Sequence, residues 1–305
     1  MRKPSIRTLF AAFAIALLSL PLLARGASAS PVSHSRDDWE DFPVKTQETI
    51  QKSFTLPASG HRSLDVDTVW GSIDVVGGSG NQVQVTIVKT IRARSDEAMQ
   101  RAKKEVTLDT TQNGGDLKLY VNGPFRCNCD DCRGRGHHDD DDYVVQMDFK
   151  VTVPQQIDLQ ARTVDDGNVS IKNVSGDFEV RNVNGRIEMD SIAGSGSART
   201  VNGPVTVSFR QNPRANSDFR TVNGAVELRF QQGLDAAFRM KTFNGGIYTD
   251  FPVTALPLRP VSEKREGGKI VFRADRMTGV QIGTGGPGIQ IENLNGDIRI
   301  LENHE

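Results

Sequence analysis

The sequence predicts an all-β chain, wound as a single-stranded β-solenoid of 18 to 21 residues per coil with one short helix. Three observations carry that prediction. First, one phrase, apolar-Asn-Gly-x-apolar-x-apolar, recurs along the chain: Val183-Asn184-Gly185-Arg186-Ile187, Val201-Asn202-Gly203-Pro204-Val205, Val222-Asn223-Gly224-Ala225-Val226, Phe243-Asn244-Gly245-Gly246-Ile247 and Leu294-Asn295-Gly296-Asp297-Ile298. Second, Gly167, Gly185, Gly203, Gly224 and Gly245 are spaced by 18, 18, 21 and 21 residues, with Gly176 and Gly194 midway between the first pairs. Hairpins built on Asn-Gly set no such period, whereas a stacked repeat does. Third, the segments between the glycines alternate apolar and polar residues, as in Val205, Val207 and Phe209 or Val226, Leu228 and Phe230. That period of two belongs to strands with one buried face.

Composition sets the outer limits. With 37 Lys and Arg against 38 Asp and Glu in 305 residues, the chain lacks the basic excess a nucleic-acid-coating protein needs. Only 6% of residues are aromatic, while glycine numbers 29, which favours turns and small stacked side chains.

Residues 1–29 read as a secretory signal peptide: Arg2, Lys3 and Arg7 precede an apolar run from Leu9 to Leu23, and Ala27-Ser28-Ala29 offers a cleavage site. The run is shorter than the roughly 20 residues that span a bilayer, so no membrane span is expected after cleavage. Cleavage after Ala29 removes Arg2, Lys3, Arg7 and Arg25 and no acid, taking the net charge from −1 to −5. The mature chain is expected to be exported and mildly acidic: periplasmic, on the outer surface or secreted. Residues 30–48 read as a polar, disordered segment or loose cap, and 49–305 as the β-solenoid domain.

Within that domain, residues 49–93 read as strands. Ser95-Asp96-Glu97 starts a short helix, with serine as the cap and two acids in the first turn. Leu117 to Val121 and Tyr143 to Val153 read as further strands, the latter stopped by Pro154, with a Cys/His/Asp-rich insert at 123–142 between them. From Ser262 to Gly268 the expectation is a protruding loop. The order of strands, a short helix near Ser95, the Val151-Thr152-Val153-Pro154 strand end and the repeated Val-Asn-Gly phrases resembles the bacterial putative-adhesin domains found in exported proteins. The resemblance covers roughly residues 50–301; it implies a β-solenoid and an adhesion role and brings no catalytic residues with it.

Four constellations bear on function. Stacked coils place Asn184, Asn202, Asn223, Asn244 and Asn295 in a column about 4.8 Å apart, suited to a structural amide ladder. Three residues before these corners stand Arg181, Arg199, Arg220 and Lys241, with Arg162 in the same place one coil earlier. Stacked like charges repel unless something compensates, so the row reads either as a grip for an extended polyanion, such as an anionic polysaccharide of the envelope or a host, or as a solvated face neutralised by acids such as Glu179 and Asp218. Cys127, Cys129, Cys132, His137 and His138 supply a ligand set suited to Zn²⁺, against which an oxidising location favours a local disulfide. Finally, Glu179, Glu188, Asp190 and Glu227 are the carboxylates a glycan-cleaving solenoid would need in pairs; charge mixing on an outer face accounts for them without catalysis. Gly283-Thr284-Gly285-Gly286-Pro287-Gly288 formally matches a dinucleotide fingerprint, but a strand rather than a helix follows it, so it reads as a corner. Gly194-Ser195-Gly196 reads as a turn, since no histidine lies between residues 139 and 303 to serve as a base. The expected function is a non-catalytic scaffold of the cell envelope or of adhesion.

Overall fold

A computed structural model describes residues 42–126, 142–257, 262–266, 269–273 and 277–303. These lie in one compact unit, Trp39–Glu305. The strands in chain order are β1 (Val44–Thr55), β2 (Ser63–Asp67), β3 (Ile73–Gly78), β4 (Gln82–Ala93), β5 (Thr107–Asn113), β6 (Asp116–Asn122), β7 (Tyr143–Pro154) and β8 (Asp158–Arg162). The repeat region follows with β9 (Val169–Lys172), β10 (Phe178–Arg181), β11 (Ile187–Ala193), β12 (Gly196–Arg199), β13 (Val205–Gln211), β14 (Ser217–Arg220), β15 (Val226–Phe230), β16 (Ala236–Lys241) and β17 (Ile247–Thr249). The rest are β18 (Val253–Ala255), β19 (Ser262–Glu266), β20 (Lys269–Arg273), β21 (Thr278–Ile282), β22 (Gly288–Glu292) and β23 (Ile298–Glu302). The one helix among the described residues, α1 (Asp96–Glu105), starts as its sequence dictates: the Ser95 side chain accepts from the Ala98 N–H, and Asp96 and Glu97 fill the first turn. It buries Ala98, Met99 and Ala102 against β4 and β7.

The all-β expectation holds, in the form of two large open sheets and a small two-stranded one. The first sheet runs β1-β4-β7-β3-β9-β11-β13-β15-β23-β17 and the second β18-β21-β16-β22-β14-β12-β10-β8-β2-β6-β5. From β8 to β17 successive strands alternate between the two, and neighbours within each sheet are parallel from coil to coil. Apolar residues of both inner faces meet between the sheets. Phe178, Phe219 and Phe238 come from one side and Phe209 and Phe230 from the other, and a chain of ring contacts links all five. Alternation therefore does what its period requires, with the buried residues of β9, β10, β13, β14, β15 and β16 two apart on one face, while β11 shifts register after Met189.

Three features depart from the expected solenoid. The sheets are mixed, because β1, β4 and β5 at one end and β18 and β21 at the other pair antiparallel. The last coil is also out of order: β22 lies between β14 and β16, and β23 between β15 and β17. Its outer seat is taken, since β16 already pairs with antiparallel β21 on its other side. The third departure is that β1 begins at Val44, inside the stretch expected to be loose, and that β19 and β20 form an antiparallel hairpin where a loop was expected. In β1 alternating half-buried Val44, Ile50 and Phe54 line up along β4, contacts that its polar composition hides.

Candidate functional site

The corner after each repeat strand of the second sheet is built from two columns of side chains. Along the outer one, the Asn202 amide donates to Asn184 (2.7 Å), Asn223 to Asn202 (2.8 Å), Asn295 to Asn223 (2.7 Å) and Asn244 to Asn295 (2.7 Å). Asn184 in turn donates to the Asp165 carboxylate at 3.2 Å. The spatial order is 184, 202, 223, 295, 244, because the last coil is inserted before the one carrying Asn244. A second column lies two residues earlier. There the side chains of Thr163, Asn182, Thr200, Thr221, Asn293 and Thr242 donate to the carbonyls of Gly71, Gly167, Gly185, Gly203, Gly224 and Gly296. Most of these donors are buried. The sequence shows this column only as a recurring Thr or Asn, and nothing local reveals that its partner is the glycine of the neighbouring coil.

Replacing Asn202 with leucine strands the Asn184 acceptor and the Asn223 donor at once. The expected cost is about 1–2 kcal/mol, since Asn184 is half-buried and Asn223 exposed, or a fall in Tm of roughly 2–4 °C for a chain of this size. A thermal melt checks it; an unchanged Tm would mean that water replaces both bonds.

Register brings the predicted cations together in part. Arg162 stands opposite Arg181, Arg181 opposite Arg199, and Arg199 opposite Arg220. The row is then broken by Glu292, which lies between Arg220 and Lys241, and Asp67 flanks Arg162 at the other end. Five successive cations are thus not contiguous, because the inserted coil contributes an acid.

Counter-charges come from the row just behind and from the two acids within the row. Arg181 pairs with Glu179, Arg199 with Asp218 (2.8 Å), and Arg220 with Asp218 (2.8 Å) and Glu292 (3.4 Å). Arg162 lies 3.6 Å from Asp65, 3.8 Å from Asp67 and 4.0 Å from Glu179. Bonding to Asp218 raises the pKa of Arg220 further, and burial pushes the Asp65 carboxyl up while Arg162 and Lys118 pull it down. Glu179 and Asp218 are legible as partners from strand alternation. Asp65, Asp67 and Glu292 are not, since the first two lie 97 and 95 residues from Arg162 and the third 72 from Arg220.

The candidate carboxylates are split between the two sheets, three of them sharing one outer face. Glu179 is on β10 of the second sheet, while Glu188, Asp190 and Glu227 are on β11 and β15 of the first. Glu227 is held by Arg229 at 2.8 Å and Arg299 at 4.0 Å, the reverse of the apolar enclosure that makes a carboxyl a general acid. Open troughs of about 440 and 490 Å³ cross the second sheet, both bordered by Phe178, Glu179, Gly196 and Asn216. Gly283 to Gly288 is a corner whose Thr284 N–H and hydroxyl donate to Asp235, with β22 directly after. Cys127, Cys129, Cys132, His137 and His138 lie outside the described residues. No helix among the described residues is long and apolar enough to cross a membrane.

No family model and no curated protein matches the chain. Among solved structures, it is similar to a putative cell adhesion protein from Clostridium sporogenes at 9% identity and a TM-score of 0.34, covering 84% of this chain and 100% of that one. A putative adhesin from Bacteroides fragilis aligns at 11% identity and a TM-score of 0.32, and one from Parabacteroides merdae at 8% and 0.26; each alignment covers 84% of this chain and 97% of the other.

Proposed function

We propose that the protein is a non-catalytic, exported scaffold of the cell envelope or cell surface, of adhesion type, whose alternating strands are turns of one β-solenoid. The observation that carries the non-catalytic reading is that the acids stand in open, charge-mixed rows: Glu179 is paired with Arg181 on one sheet, and Glu227 with Arg229 and Arg299 on the outer face it shares with Glu188 and Asp190. A glycosidase needs two carboxyls converging on one bond. The repeat chemistry points the same way, since its amides, hydroxyls and guanidinium groups are engaged with their own neighbours. Supporting the solenoid reading are the parallel register and the glycine period; supporting export are the basic start and apolar run of residues 1–29.

The narrower part of the proposal is that the row Arg162, Arg181, Arg199 and Arg220, with Lys241, binds an anionic polysaccharide. To do so each arginine must exchange an intrachain carboxylate for a ligand's, which makes the binding weak and salt-sensitive. Purified mature protein is to be titrated with anionic and neutral glycans at low and physiological salt. The expected result is anion-selective binding, lost by tenfold or more (about 1.4 kcal/mol) in Arg199→Glu/Arg220→Glu. Binding indifferent to the charge reversal removes the polysaccharide reading, and release of cleavage products removes the non-catalytic one.

A further inference from the structure

Beside the cationic row runs an outward column of a different kind. The residue just before each corner Asn or Asp is apolar in every coil: Val164, Val183, Val201, Val222, Leu294 and Phe243, in spatial order. Their exposures are 40, 36, 38, 37, 45 and 75%. Among the described residues these six make up most of the exposed large apolar side chains, and they stand in one line. Six rungs at the coil spacing give a ridge about 24 Å long. It presents on the order of 450 Å² of apolar surface, within the range of the largest patch on a monomer, where such patches mark interaction sites.

We propose that this ridge is the interface of a homodimer, in which two copies of the chain meet ridge to ridge. Pitch is the first argument. Each ridge is a ladder of branched side chains at one coil spacing, so a second copy has the same repeat and its side chains fit between the rungs along the whole length, as paired identical sheets do in a dry zipper. Charge is the second argument. On one flank the guanidinium groups are paired with Glu179, Asp218 and Glu292, and on the other the asparagine amides bond to one another. A ridge with such neutral flanks complements a copy of itself better than it complements a charged partner. Area is the third argument: the ridge's own surface, about 450 Å² on each copy, falls in the range of small, weak interfaces. Because the same patch serves both copies, the assembly closes at two.

Sedimentation equilibrium of the mature protein from about 1 to 100 µM, the range of a weak specific dimer, tests the proposal. The wild type is expected to dimerise, and Val201→Lys/Val222→Lys to weaken association at least tenfold with an unchanged circular dichroism spectrum. Glu188→Lys, on the outer face of the first sheet, should leave it unchanged. Phe243→Ser, at the most exposed rung, should weaken it severalfold, and it decides the matter if the double lysine variant does not fold. A wild type that stays monomeric at the highest concentration overturns the proposal, as does a dimer that survives these substitutions. Neither outcome bears on the glycan titration, which reads a different row of side chains.

Discussion

Gly203→Ala is expected to lower the Tm by roughly 6–8 °C, corresponding to about 4 kcal/mol in a chain of this size. Two causes act together. Gly203 has φ +151°, a conformation that an L side chain adopts only under strain. A Cβ there would also be driven into the carbonyl oxygen of Gly185, far inside van der Waals contact. That carbonyl is the acceptor for Thr200, and the Gly203 carbonyl is the acceptor for Thr221. Neither coil can shift without breaking a buried bond. Gly233→Ala separates the causes: its φ is +70°, but a Cβ there meets nothing within 4 Å, so only the conformational cost of about 1 kcal/mol remains. Thermal melts of both variants check the argument, and equal losses would show that crowding of the column contributes nothing.

The second large effect is expected at the centre of the inter-sheet core. Phe209 is fully buried, stacks on Phe230 at 5.0 Å between ring centres and meets Phe219 edge-on at 6.3 Å. Truncation to alanine removes a ring that neighbours on both sheets rely on, and it leaves a cavity which the parallel strands are too rigid to close. The expected loss is about 3–5 kcal/mol, read as a lower midpoint in urea with an unchanged slope. Phe209→Leu keeps much of the volume and should lose clearly less. A Phe209→Ala variant as stable as Phe209→Leu would mean that the core collapses around the gap.

What the sequence reveals of this molecule is what repeats locally. The glycine spacing locates the corners, Val205-Thr206-Val207 and its counterparts identify the inner face, and Ser95 with two following acids marks the helix start. Face is set by a period of two, but neighbour is not: nothing in the residues of β22 or β23 states that they insert inside β16 and β17. The same limit explains the cationic row. Its members are legible as a column, yet Glu292 enters it from seventy residues away, and Asp65 and Asp67 from the strand beside β8. The buried Thr and Asn column is written in the sequence as plainly as the asparagines. It reads as ordinary strand polarity until the glycine carbonyls it serves are located in the adjacent coil.

The insertion of β22 and β23 changes what the end of the repeat means. In an array stacked in chain order, trimming the final unit removes an outer layer and leaves the others in contact. Here β22 and β23 sit between strands that precede them in the chain, so β16 and β17 reach β14 and β15 only through them. The order of coils in space is therefore not the order of the chain. A shortened chain would lose a layer from within, and with it the attachment of everything from Ala236 to Thr249.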